Sequence, residues 1–165
     1  MAGRKPNVVI TDDAVGARPA RRVMVTGSRS FALCEHTPTH LYPTECHDTL
    51  VRQHRAIMIK AFHEHGLMDG WLNGERYELI HGDARGADRT AAAMWHHWGL
   101  GPITAFPYVK ELGKAGGHAR NGVLVAHMPD LVLAFHLDNS PGTADAIARA
   151  RKAGLDVHVY PKGES

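Results

Sequence analysis

Cysteine is scarce in this chain: Cys34 and Cys46 are the only two among 165 residues. No apolar segment heads the N-terminus, so the pair reads as free thiols of a cytoplasmic protein rather than as a disulfide framework. No apolar run approaches the roughly 20 residues that a bilayer-crossing helix needs, and no membrane span is expected. Strong charge of either sign is also lacking. The net charge is +2, and the first 22 residues hold +3 of it through Arg4, Lys5, Arg18, Arg21 and Arg22 against Asp12 and Asp13, leaving −1 for the rest. A near-neutral body with a small basic arm argues against a broad nucleic-acid surface, which would cluster Lys and Arg on one face. The paired knuckle spacing of zinc proteins is missing as well. Cys34, His36, His40, Cys46 and His47 lie close in sequence, but not in the C-x₂₋₄-C and H-x₃₋₅-H pattern, and no metal is expected.

What is present is an ordinary globular composition, 44% apolar and 22% charged. That mixture at this length predicts one domain over 21–165, preceded by a flexible arm over 1–20. Short runs rich in β-branched residues alternate with segments of helical periodicity. Strands are expected at 22–26, 77–80, 102–107, 131–135 and 157–160. Helices are expected from about Thr44 or His47 to His65, from Asp88 to about Trp98, over 122–127, and from about Thr143 to Ala153. Gly66 and Gly154 are placed to end two of them. This β-α alternation predicts an α/β fold: a Rossmann-like three-layer αβα sandwich around a mainly parallel five-strand sheet with right-handed crossovers.

Three strand-to-helix junctions carry glycine beside polar groups. The stretch Leu-Ile-His-Gly-Asp-Ala-Arg-Gly-Ala-Asp at 79–88 predicts an anion cradle, because a strand, a glycine-rich turn and a helix start aim backbone N–H groups at one point. It matches neither the dinucleotide fingerprint G-x-G-x-x-G nor the P-loop. The first strand delivers Gly27 for close approach, Ser28 as a hydroxyl donor and Arg29 as a fork-shaped phosphate partner. The third junction is Ser-Pro-Gly-Thr-Ala-Asp at 140–145. Three such junctions at the C-terminal ends of parallel strands point to one shared nucleotide site.

With these motifs in view, the chain resembles the SLOG superfamily, the Rossmann-like group that includes the Smf/DprA proteins and the Lonely Guy phosphoribohydrolases, and within it the YspA-like branch. The residues that carry the resemblance are Val-Thr-Gly-Ser-Arg at 25–29, His-Gly-Asp-Ala-Arg-Gly-Ala-Asp at 81–88, Ala-Arg-Asn-Gly at 119–122, Asp130, and Gly-Thr-Ala-Asp at 142–145. The resemblance implies a nucleotide or NAD-derived ligand with phosphate near Gly27, Ser28, Gly142 and Thr143. It implies too that Arg29, Asp83, Asp88, Arg120 and Asn121 face the ribose or base, while Gly82 and Gly86 belong to the anion cradle with His81. His81 is open to two readings, a ligand contact or an anchor of its own turn. A homodimer is expected on the resemblance alone.

Three functions follow from these readings. The leading one is a sensor or processor that binds a small nucleotide. The second is a hydrolase of the N-glycosidic bond of a nucleoside monophosphate, with Asp83, Asp88 or Asp145 as acid or base. The Lonely Guy run P-G-G-x-G-T-x-x-E ends in a Glu that assists this cleavage, and here that position is Ala146, which can do neither proton transfer nor charge stabilisation. The third is a DprA-like adaptor for single-stranded DNA, against which the near-neutral body speaks.

Overall fold

The computed structural model describes residues 20–32 and 48–163. The Cys34–His47 collection and the arm at 1–19 lie outside the described residues. Five parallel strands form one sheet in the order β3-β2-β1-β4-β5. They are β1 (Arg21–Gly27), β2 (Tyr77–His81), β3 (Ile103–Ala105), β4 (Leu131–Phe135) and β5 (Val157–Tyr160). Four α-helices connect them: α1 (Thr49–Glu64), α2 (Ala87–His97), α3 (Lys114–Ala126) and α4 (Pro141–Lys152). The fold is therefore the Rossmann-like three-layer sandwich that the alternation of elements predicts.

The period-2 geometry of a strand explains the two cores. Val23, Val25, Leu79, Leu131 and Leu133 point to one face, where Met58, Ala61 and Phe62 of α1 and Ala91, Met94 and Trp95 of α2 cover them. Met24, Ile80 and Val132 point to the other, under Leu124 and Val125 of α3 and Ala146 and Ala150 of α4. Ala146, the residue in place of the Lonely Guy glutamate, is fully buried in this second core. β1 and β4 occupy the middle of the sheet, and all five residues of β4 are buried. A strand covered on both faces has no solvent side, which is why it reads as an unbroken apolar run.

Local signals set most element ends. Asp48 caps α1 by accepting from the N–H groups of Leu50 and Val51, as an N-cap carboxylate does. Gly66 follows α1 and Gly154 follows α4 with φ of +69° and +73°, the left-handed conformation that glycine adopts freely. One boundary differs from the sequence expectation. The helix expected over 122–127 begins eight residues earlier, at Lys114, although Gly116 and Gly117 argue for a break. Gly116 tolerates no side chain: a Cβ there would stand 2.5 Å from the Val109 carbonyl oxygen and 2.8 Å from the Tyr108 ring. Tertiary packing thus overrides the low helix propensity of the glycine pair.

Candidate functional site

The chain winds from β1 through β2 to β3 on one side of the sheet and from β4 to β5 on the other, so the order reverses between β1 and β4. In open α/β sheets a crevice opens at this reversal, outside the C-terminal strand ends. A cavity of about 790 Å³ lies there, in the range of small-ligand sites. β1 contributes Gly27, Ser28 and Arg29 to its wall, and the start of α4 contributes Pro141, Gly142 and Thr143. Gly27 is required by crowding, since a Cβ would come within 2.4 Å of the Ala87 side chain and 2.5 Å of the Phe135 carbonyl oxygen.

The 81–88 turn departs from its expected role in one respect. Its anion is internal: the Oδ2 atom of Asp88 accepts from the backbone N–H of Gly82 at 3.0 Å and of Ala84 at 3.3 Å. The backbone donors expected to meet a ligand are thereby taken by the chain's own carboxylate. Around it, His81 is buried and its Nδ1 accepts from the Asp83 N–H at 3.0 Å, the anchoring role. Burial holds the His81 imidazole below its ordinary pKa. Gly86, at φ +82°, lies against the Ser28 and Arg29 carbonyl oxygens. His81, Gly82, Asp83 and Gly86 are not in the cavity wall; they build the turn that presents Asp88. The Asp83 carboxylate pairs with Arg89 at 3.2 Å.

Asp88 does reach the cavity. It is 3% exposed, and its second oxygen, Oδ1, is buried without a hydrogen-bond partner. Burial pushes its carboxyl up to about 6, against the pull of the Ala84 N–H, the Arg120 charge and the Gly82 N–H. Arg120 approaches from α3, where its Nη1 donates to the Gly82 carbonyl at 2.9 Å and its Nε is buried without a partner. Gly82 must be glycine for this, since a Cβ would meet the guanidinium at 2.6 Å.

The opposite wall is a helix start. Ser140 precedes α4 without a side-chain cap, Pro141 occupies its first turn, and no acidic residue follows there. The first-turn N–H groups of Gly142 and Thr143 are thus left uncapped by any side chain, at the positive end of the helix dipole. A Cβ on Gly142 would meet nothing within 4 Å, so open space adjoins the backbone. Buried Asn121 supports this wall: its Nδ2 donates to the Gly142 carbonyl at 3.1 Å and to Asp145 at 2.9 Å. Desolvation alone would raise the Asp145 pKa, but hydrogen bonds from Asn121, His118 and Arg149 outweigh it and hold the carboxyl below its ordinary value.

Eight of the expected site residues therefore gather around one space: Gly27, Ser28, Arg29, Asp88, Arg120, Asn121, Gly142 and Thr143. Lys114, Gly117 and His118 line it as well. Sequence reasoning missed these three because it began the third helix at 122 rather than at Lys114. Once α3 starts at Lys114, positions 114, 117, 118 and 121 share one helix face, and that spacing is the signal that points to them. Among the described residues no cluster of three His, Cys, Asp or Glu side chains forms a metal site.

No family model matches the chain. The Gene 61 protein of Mycobacterium phage D29 is 38% identical to it over 87 residues, which make up 48% of this chain and 67% of the phage protein. The chain belongs to the family of that Gene 61 protein. No solved structure matches it. The Gene 61 name specifies no chemistry, so the site itself carries the functional argument for this family.

One clamp in this Gene 61 relative makes a direct prediction. The Ser28 hydroxyl donates to the Leu137 carbonyl and accepts from the Leu137 N–H, both at 2.7 Å, tying the β1 turn to the β4 turn. The hydroxyl expected to serve a ligand is thus committed to the fold. Ser28→Ala strands two backbone groups, and a loss of about 1–3 kcal/mol in urea unfolding is expected. A loss below about 0.5 kcal/mol would mean that water replaces the clamp.

Proposed function

We propose that the cavity binds a nucleotide or nucleotide derivative, with phosphate at the start of α4 and a sugar hydroxyl donating to Asp88. The observation that carries this reading is Asp88, which lines the same space as Gly142 and Thr143 and keeps a buried Oδ1 without a hydrogen-bond partner, opposite the uncapped N–H groups at the start of α4. An acceptor at one end and backbone donors at the other match the two polar ends of a nucleoside phosphate. Arg29 and Arg120 supply the cations such an anion needs, and the SLOG resemblance supports the same class.

Thermal-shift titration with nucleoside mono-, di- and triphosphates, NAD and ADP-ribose tests this. A ligand at 100 times its Kd that binds only the folded state adds about 2.7 kcal/mol. Arg29 is exposed and makes no hydrogen bond or ion pair with the described residues. Arg29→Ala is therefore expected to leave stability within about 0.5 kcal/mol of wild type while weakening nucleotide affinity about tenfold. Unchanged affinity in both Arg29→Ala and Arg120→Ala would refute the site.

A second reading rests on the raised carboxyl of Asp88. An acid pushed up to about 6 is suited to proton transfer near neutral pH. We infer that, if the site turns ligand over, Asp88 protonates the base leaving a nucleoside monophosphate, and the water that adds to the sugar carbon returns its proton to the Asp88 carboxylate. Release of free base from a nucleotide panel, abolished in Asp88→Asn, checks it; absence of turnover across the panel would refute it.

A further inference from the structure

The face of α3 that lines the cavity is built from residues that its helix does not favour. Lys114 is the first residue of α3, which has no acidic residue in its first turn and no side-chain cap. A cation at that end opposes the helix dipole. Gly117 lies inside the helix, where glycine is the costliest residue apart from proline. Unlike Gly116, it has no packing reason to be glycine, because a Cβ there would meet nothing within 4 Å. His118 is half exposed and its Nδ1 pairs with the Asp145 carboxylate at 3.0 Å. That bond fixes the ring and leaves Nε2 without a partner among the described residues. Two choices that the helix does not favour, Lys114 and Gly117, thus stand with His118 on one wall of one cavity, as residues selected for a site do.

We propose that Lys114, Gly117 and His118 form a subsite for a second anionic group, so that the site selects pyrophosphate-bearing nucleotides over monophosphates. The proposal rests on the nucleotide reading above. The first phosphate sits at the start of α4, and the next group lies along α3 in the space that Gly117 leaves open. Lys114 supplies charge there. The His118 ring stands between the Asp145 carboxylate and the space of the added phosphate. Asp88, with a buried carboxylate oxygen that no partner satisfies, lines the same cavity and is separate from the three α3 residues.

Isothermal titration of the full chain with AMP, ADP, GMP, GDP and inorganic pyrophosphate tests the subsite. Wild type is expected to hold a diphosphate at least about tenfold more tightly than the matching monophosphate. In Lys114→Ala/His118→Ala that preference is expected to fall to about twofold or less. Gly117→Leu is expected to keep or raise the thermal midpoint, since leucine favours helix, while weakening diphosphate binding at least tenfold. Equal affinity of wild type for mono- and diphosphates would overturn the subsite and leave the nucleotide reading standing. So would a diphosphate preference that survives the double substitution. Pyrophosphate bound by Lys114 and His118 with no nucleotide bound would uphold the subsite and overturn the nucleotide reading. Binding of none of the five would overturn both.

Discussion

Asp88→Asn is expected to become more stable than wild type as pH rises, gaining about 3 kcal/mol relative to it between pH 3 and pH 7. The carboxyl of Asp88 is pushed up from its ordinary 3.8 to about 6 in the folded protein, chiefly by burial. Well below pH 3.8 it is protonated in both states and costs nothing. As pH rises, the unfolded chain releases its proton first, so the folded state binds more protons and stability falls until about pH 6. At about 1.4 kcal/mol for each tenfold change in proton affinity, the full cost is about 3 kcal/mol. Asparagine does not titrate, so the cost of its own unpartnered amide cancels from the pH difference. Urea unfolding of both proteins across this range reads it directly. Parallel curves would mean that Asp88 is solvated or paired in solution. The same substitution places a donor where the proposed sugar hydroxyl donates, and nucleotide affinity is expected to fall at least about tenfold. A residue that weakens the free protein while strengthening the complex is the ordinary bargain of a binding site.

Gly86→Ala is expected to cost about 3–5 kcal/mol and to abolish ligand binding. The residue sits at φ +82°, which L side chains avoid, and its Cβ would stand 2.4 Å from the Ser28 oxygen and 2.5 Å from the Arg29 oxygen. Backbone strain and overpacking of about 1–3 kcal/mol each add here, because neither carbonyl is the free end of a side chain. Ser28 cannot retreat, since its N–H donates to the Phe135 carbonyl at 2.9 Å and its hydroxyl is clamped to Leu137. Against a total stability of about 5–15 kcal/mol, the thermal midpoint should drop by roughly 10 °C or more. A midpoint within 2 °C of wild type would show that the β1 turn does not lie against the start of α2.

Much of this architecture is legible before any coordinates. The unbroken apolar runs at 131–135 and 23–25 mark strands buried on both faces, because the middle of a parallel sheet has no solvent side. The glycine junctions at Gly27 and Gly86 mark the loops at the strand ends, because only glycine fits where backbones crowd this closely. Their order along the chain implies the three layers, since parallel strands need helical crossovers.

The assignment of donors to acceptors is not legible in this way. Asp88 six residues beyond Gly82 reads as a helix start beside an empty cradle, yet its carboxylate turns back and fills the cradle. Ser28 and Leu137 are 109 residues apart, and no local pattern tells that the hydroxyl is spent between them. Helix α3 begins at Lys114, where Gly116 packs against Tyr108 and Val109, and with that start come Lys114, Gly117 and His118 on the cavity side. Strand and helix identity follow from periodicity and backbone propensity, which are properties of neighbours in sequence. Which polar atom is satisfied, and which is left to face a ligand, depends on groups that meet only when the sheet is assembled, and the tertiary structure alone decides it.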